Sequence, residues 1–254
     1  MEPKTEQDRA KMAAGAQAVE TYCRDGMRLG LGSGTTSHWF VRALAEKVHA
    51  GLDVVGVPTS NATRKLAAEL GVRLADFDQV PQLDVTIDGP DEIDRHGRMI
   101  KGGGACLLWE KIVARASAKM VVVADDTKVV HQLGLFPLPI EVVRFGRVST
   151  ERLINELLED FGYDDIHITY RMRNGRLLLT DSGNHILDAP LFAISKPEEL
   201  ARRLNEIPGV VENGLFVGIA QEIVVGHANG TTEVLRLPMA NSGREPAGYR
   251  GGEA

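Results

Sequence analysis

The chain has 254 residues, 43% of them hydrophobic and 25% charged, with a formal net charge of −6. That balance excludes a disordered or fibrous protein, and the acidic sign excludes a general nucleic-acid or anionic-membrane surface. Two cysteines, Cys23 and Cys106, are too few for a disulfide-built secreted scaffold, and no stretch approaches the roughly 18 apolar residues of a membrane span, so a soluble cytoplasmic protein with reduced thiols is expected.

From Thr5 to Asp25 the residues Met12, Ala16, Val19 and Cys23 recur at spacings of three and four, which predicts an amphipathic helix. Met27 to Leu31 reads as a strand running into a glycine turn, and Ser37 to Val48 returns to helical spacing. The order then repeats: strand at Asp53 to Val57, helix at Asn61 to Leu70, strand at Leu83 to Ile87, helix at Ala105 to Ala116, strand at Met120 to Ala124. Such alternation predicts an α/β, Rossmann-like domain with a mainly parallel sheet covered on both faces.

The rhythm breaks after Lys128, at Leu135-Phe136-Pro137-Leu138-Pro139. Beyond it the pattern predicts a strand at Ile140 to Arg144, a helix at Thr150 to Phe161, a hairpin joining Ile166–Tyr170 to Leu177–Thr180 across Asn174-Gly175, and a helix at Pro197 to Ile207. Leu215 to Ile219, Glu222 to Val225 and Thr232 to Leu237 read as strands that rejoin the first sheet. The expected organisation is a catalytic α/β domain at residues 1–134 plus 208–237, a smaller inserted α+β domain at 135–207, and a disordered tail at 238–254, rich in Gly, Pro, Arg and Glu.

Gly30-Leu31-Gly32-Ser33-Gly34-Thr35-Thr36 follows a strand and opens a helix, a geometry that suits phosphate and equally a tight strand-to-helix turn. In the polar turn after the second strand, Ser60 or Asn61 is expected to cap a helix. The third strand ends in Asp88-Gly89-Pro90-Asp91-Glu92, three carboxylates at the edge where open α/β sheets bind ligands; they serve either proton chemistry or a solvated acidic turn. Lys101-Gly102-Gly103-Gly104 costs folding entropy without packing return, which makes sense where a backbone approaches a ligand. Glu110, amid Leu107, Leu108 and Trp109, is either a base of raised pKa or half of a surface pair with Lys111 or Arg115. Lys128 ends the next strand at the same edge, and neither Cys106 nor the seven histidines show metal-ligand or nucleophile spacing.

Gly32-Ser33-Gly34-Thr35-Thr36, Asp88-Gly89-Pro90-Asp91-Glu92, Lys101-Gly102-Gly103-Gly104, Glu110-Lys111 and Lys128, in that order, resemble ribose-5-phosphate isomerase type A. The similarity continues through Phe136 to Val142, Asp181 to Asn184, Ile186 to Asp188 and Ile207 to Phe216. The resemblance implies interconversion of D-ribose 5-phosphate and D-ribulose 5-phosphate through an enediolate, in the non-oxidative branch of the pentose phosphate pathway, with neither metal nor organic cofactor. By the same resemblance Glu110 is the proton-transfer base, Asp88 or Asp91 serves ring opening, and Lys101 with nearby amides stabilises developing oxyanion charge. Ser33, Gly34, Thr35, Thr36, Asp88, Gly89, Pro90, Asp91, Lys101, Gly102, Gly103, Gly104 and Lys128 are the implied substrate contacts, and a homodimer or homotetramer is implied. Pro90 departs from the family's usual alanine and removes one N–H from the loop. Related folds serve coenzyme A transferases, sugar-phosphate deaminases and sugar-phosphate sensors; nothing here suggests a pantetheine channel or an attached DNA-binding module.

Overall fold

The computed structural model describes residues 2–237. Helix α1 (Glu6–Tyr22) opens with a capping box in which Thr5 and Asp8 exchange side-chain and backbone hydrogen bonds. There follow β1 (Arg28–Leu31), α2 (Thr35–His49), β2 (Val55–Pro58), α3 (Asn61–Glu69), capped as expected by Ser60, and β3 (Leu83–Asp88). The short β4 (Glu92–Asp94) and β5 (Met99–Ile100) precede α4 (Leu107–Arg115), the long β6 (Ser117–Asp125) and β7 (Val129–Val130). Next come β8 (Leu138–Val142), α5 (Arg147–Asp160), β9 (Thr169–Tyr170), β10 (Met172–Arg173), β11 (Arg176–Leu177), β12 (His185–Ala189), α6 (Pro197–Asn205) and β13 (Val210–Asn213). The described chain closes with β14 (Leu215–Phe216), β15 (Glu222–Gly226) and β16 (Thr232–Arg236).

The main sheet has the order β16-β15-β6-β3-β1-β2, with every neighbour pairing parallel except the antiparallel edge strand β16. Strand β6 shows why both faces are covered: Val121 and Val123 pack into one apolar cluster with Phe40 and Leu44, while Met120, Val122 and Ala124 pack into another with Leu107 and Phe216. From β1 the chain moves outward to β2 and then returns to the other side of β1 as β3, so the order reverses between β1 and β3. A crevice opens at such a reversal, outside the carboxyl ends of the strands. The glycine turn after β1 and the carboxylate loop after β3 flank it.

A second, antiparallel sheet, β13-β8-β12-β9, packs its apolar residues against α5 and α6, and a third small sheet, β14-β5-β4-β7, lies beside it. Three expectations are corrected here. The Asn174-Gly175 turn forms with both residues at positive φ, but it joins only the two-residue strands β10 and β11, and Tyr170 pairs with β12 rather than with Leu177–Thr180. Residues 210–213, expected with the α/β region, pair with β8, and Leu215–Phe216 pair with β5, so the chain rejoins the main sheet at β15. Alternation marks a segment as extended and leaves its partner open, because pairing is decided by contacts distant in sequence. The tail from residue 238 lies outside the described residues, and among these no helix is long and apolar enough to cross a membrane.

Helices α1 and α2 approach closely at Gly15, where an added Cβ would lie 2.6 Å from the backbone nitrogen of Phe40. Alanine in a helix interior gains about 1 kcal/mol in propensity over glycine, whereas overpacking against backbone typically costs about 1–3 kcal/mol. Gly15→Ala is therefore expected to lower stability in urea unfolding despite its better helix propensity.

Candidate active site

The crevice is a cavity of about 120 Å³ lined by residues of the four loops at the sheet edge together with Lys11 and Glu110. The turn after β1 contributes Ser33 to Thr36 to the lining, and α2 starts there from Gly34 at φ 91° with no side-chain cap on its first amides. Beneath this turn the Ser33 hydroxyl is 2.7 Å from the hydroxyls of both Thr59 and Ser60 and 3.2 Å from that of Thr63. Ser33 thus spends its hydroxyl on shaping the turn. Its backbone faces the cavity only in part, since its N–H donates to Asp88 at 3.0 Å.

Lys101, just beyond β5, has an ammonium that is 1% exposed and surrounded by oxygen: 2.5 Å from the Gly89 carbonyl, 3.1 Å from Asp88 Oδ2 and 3.2 Å from Glu110 Oε1. Burial disfavours its charge, but Asp88, Glu110 and Asp91 more than offset that, and its pKa lies above the ordinary lysine value. Glu110, on the first turn of α4, is buried on the cavity wall. Desolvation, helped by repulsion from Asp88 and Asp91, outweighs Lys101 and raises its carboxyl well above the usual carboxylate range. It is therefore no surface pair; Lys111 turns away to Glu212 and the carbonyls of Asn213 and Leu215.

The acidic loop divides three ways. Asp88 is fully buried and does not line the cavity; its Oδ1 accepts from Ser33 N, Ser37 Oγ and Gly89 N at 2.8–3.0 Å, and its Oδ2 faces Lys101. Asp88, implied with Asp91 as a candidate for ring opening, thus holds the loop through Oδ1 and pairs with Lys101 through Oδ2. Glu92 points to the opposite face and accepts from the amides of Gly134 and Phe136, anchoring the crossover to the second sheet. Asp91 alone of the three reaches the cavity, where its Oδ2 accepts from Gly103 N at 2.7 Å. Burial raises its pKa against the opposing pull of the Gly103 amide, Lys101, Lys128 and Arg171. Pro90 lines the wall between them without disturbing the loop, because Gly89 N and Asp91 N both find acceptors.

Gly102, Gly103, Gly104 and Lys128 complete the lining, and the structure adds Lys11, which sequence reading missed. Lys11 lies on α1, far from any strand end in sequence, but it is nearly buried and its ammonium sits 4.0 Å from Asp125 at the end of β6. It was hidden because the buried side of α1 runs through Ala10, Lys11, Ala14, Gly15 and Ala18, so that Met12 and Ala16 of the expected apolar stripe are exposed. Cys106, at the start of α4, has its thiol pushed up to about 12 by burial and by Glu110, Asp181 and Asp88, so it stays protonated. A larger open groove of about 680 Å³ between α4 and α6 has its lysine, Lys111, committed to Glu212 and holds none of these residues. Among the described residues no His, Cys, Asp or Glu group is arranged to hold a metal.

A parallel sheet with a switch-point crevice lined by amides, ammonium groups and two cavity-facing carboxylates is the architecture of an α/β enzyme suited to a small anionic substrate. Residues 55–230 match the profile of ribose 5-phosphate isomerase A (phosphoriboisomerase A). The chain is 50% identical over 230 residues to ribose-5-phosphate isomerase A 2 of Yersinia pseudotuberculosis, covering 90% of this chain and 98% of that one. It is 52% identical over 231 residues to ribose-5-phosphate isomerase A of Cereibacter sphaeroides, covering 91% and 92%. Among solved structures, the ribose 5-phosphate isomerase of Plasmodium falciparum superposes with a TM-score of 0.84 at 31% identity, covering 89% of this chain and 97% of that one. A D-ribose-5-phosphate isomerase in complex with phospho-erythronic acid superposes with a TM-score of 0.81 at 37% identity, over 89% and 97% of the two chains. The chain belongs to the ribose 5-phosphate isomerase A family.

Removing one member of a buried ion cluster strands its partners, at a cost of about 3–5 kcal/mol. Lys101→Met is expected to lose about that much stability at neutral pH, and less near pH 5. The sign follows from Glu110: its folded pKa is already raised and rises further without Lys101, so the folded state binds the extra proton and stability falls as pH climbs above the unfolded value. Urea titrations of both proteins at the two pH values check this.

Proposed function

We propose that Glu110 is the base that interconverts D-ribose 5-phosphate and D-ribulose 5-phosphate in this chain, through an enediolate. The observation that carries this reading is a buried glutamate on the cavity wall, 3.2 Å from an equally buried ammonium, in a member of this isomerase family. Isomerisation moves a proton from C2 to C1 of the open-chain aldose and the hydroxyl proton from O2 to O1, and the two adjacent carbons lie within reach of one carboxylate. A raised pKa makes Glu110 a stronger base toward a weakly acidic C–H than an ordinary carboxylate.

Lys101 supplies the counter-charge. In the resting site its three N–H groups face Gly89 O, Asp88 and Glu110. When Glu110 takes the proton and becomes neutral, its hold on the ammonium weakens, and Lys101 is left to face the oxygen on which negative charge has appeared. Stabilisation thus grows as the charge develops, the form of binding that accelerates chemistry. Asp91, also on the cavity wall, carries the proton between the anomeric hydroxyl and the ring oxygen during ring opening. The uncapped amides of α2, with Thr35, Thr36, Lys11 and Lys128, form the phosphate end. The complex of a similar isomerase with phospho-erythronic acid supports a phosphorylated substrate, because such a compound joins a phosphate to a planar carboxylate whose two oxygens can stand in for those of the O–C=C–O edge of an enediolate.

The same reading places the protein in the cytoplasm, in the non-oxidative branch of the pentose phosphate pathway, as a homodimer or homotetramer with the smaller α+β region inserted into the α/β domain. Family membership supports all of these.

Turnover of ribose 5-phosphate by wild type and Glu110→Gln, both dialysed against EDTA, tests the assignment. Robust wild-type activity with a loss of about 10³-fold or more in the variant is expected. Glu110 must be unprotonated to act, so kcat/KM of the wild type should fall as pH drops through a limb lying above the usual carboxylate range. An active Glu110→Gln would move the base to Asp91, and an inactive wild type would overturn the isomerase reading.

A further inference from the structure

Arg171 lies between β9 and β10, in the second sheet and outside the cavity lining, yet its side chain reaches the glycine loop. Its backbone is fixed on both sides, its N–H donating to Ile186 O at 2.8 Å and its carbonyl accepting from Leu178 N at 2.9 Å. Nε donates to Asp188 Oδ2 at 2.8 Å and Nη2 to Asp188 Oδ1, the two-pronged geometry that orients a guanidinium plane. The remaining prong, Nη1, donates to the carbonyls of Gly102 at 2.6 Å and Gly103 at 2.9 Å.

Those two carbonyls carry the consequence. A trans peptide is planar and its N–H points opposite its C=O. With the Gly102 carbonyl held by Arg171, the N–H of the same peptide, on Gly103, must point the other way, and it donates to Asp91 at 2.7 Å. With the Gly103 carbonyl held as well, the Gly104 N–H is turned from Arg171 in the same sense, and Gly104 lines the cavity. Three successive glycines would otherwise sample many backbone states. The guanidinium selects among them, together with the Ala105 N–H, which donates to the Gly102 carbonyl at 2.9 Å.

We propose that Arg171, oriented by Asp188, is a positioning residue for the isomerisation: it sets the Gly102 and Gly103 peptides so that their N–H groups face Asp91 and the substrate cavity. This rests on the isomerase reading for its catalytic consequence, though not for its structural one. Arg171 touches no reacting atom; it acts through the backbone that follows Lys101. A group misplaced by about 1 Å can cost about 10²-fold in rate, so its removal should be felt in kcat more than in KM.

The test compares Arg171→Met, Arg171→Lys and Asp188→Asn with wild type by steady-state kinetics, pH profile and amide hydrogen exchange. Arg171→Met is expected to lose roughly tenfold to 10²-fold in kcat with KM changed by less than about threefold. Exchange at Gly103 and Gly104 should rise in the same protein. Asp91 faces Lys101, Lys128, Arg171 and the Gly103 amide, with Glu110 across the cavity. Deleting the guanidinium charge therefore moves the limb that Asp91 adds to the profile, below that of Glu110, up in Arg171→Met. Arg171→Lys should keep the limb in place while still losing kcat, because an ammonium restores the charge and not the fork. A folded Arg171→Met with wild-type kcat, pH profile and exchange overturns the proposal, as does a variant that is merely less stable while its folded fraction turns over normally. Should Arg171→Met not fold, loss of kcat and of Gly103 protection in Asp188→Asn supports the proposal, and their retention overturns it. A wild type without isomerase activity sinks the reading of function, and the exchange data then decide the clamp alone.

Discussion

A single buried ammonium organises this molecule. Leaving a charge such as that of Lys101 in the interior costs several kcal/mol unless oxygen replaces the lost water on every side. Here the oxygens come from two places, Asp88 and Gly89 at the end of β3 and Glu110 on α4, while the ring face of Phe216 on β14 lies 5.6 Å away. The end of β3, the start of α4 and the small sheet must all be in register for the charge to be tolerated. The condition that permits folding thereby assembles the cavity wall, and burial of Glu110, helped by repulsion from Asp88 and Asp91, is what raises its carboxyl.

Much of this was legible in the residues. The repeated strand-to-helix alternation located the main sheet because its apolar pattern is local, and the same pattern placed the glycine turn, the acidic loop and Lys101-Gly102-Gly103-Gly104 at one edge. What escaped depends on long-range geometry. That Asp88, Asp91 and Glu92 face an ion, a cavity and a crossover respectively follows from the backbone path of a tight loop, which composition does not specify. Lys11 was hidden because its helix meets the sheet edge only after α1 packs across it. Pairing of β9 with β12 escaped for a related reason: β10 and β11 are mostly exposed and carry no apolar face to select a register.

The two larger sheets divide the labour. The main sheet contributes strand ends, where amides and carboxylates converge, and the antiparallel sheet contributes rigidity from behind. Glu92 and Arg171 are the reciprocal ties: one carboxylate of the main region grips the crossover that leads out, and one guanidinium of the second sheet grips the loop that lines the cavity. Both ties end on backbone groups, which any residue supplies, so sequence comparison of the gripped segments alone would not reveal them.

The way α1 is seated bears on how the protein comes into being on the ribosome. Gly226 of β15 is pressed so closely on the Ala10 carbonyl that no side chain fits between them, and Arg9 reaches Ala228 at 3.3 Å. The first helix to emerge thus has as its seat one of the last strands to be made. Lys11 itself pairs with Asp125 at the end of β6, and α1 packs on α2, so β15 completes a seat that earlier segments begin. The helix that carries Lys11 is thus held between early and late parts of the chain, and a truncation before residue 226 removes part of its seat.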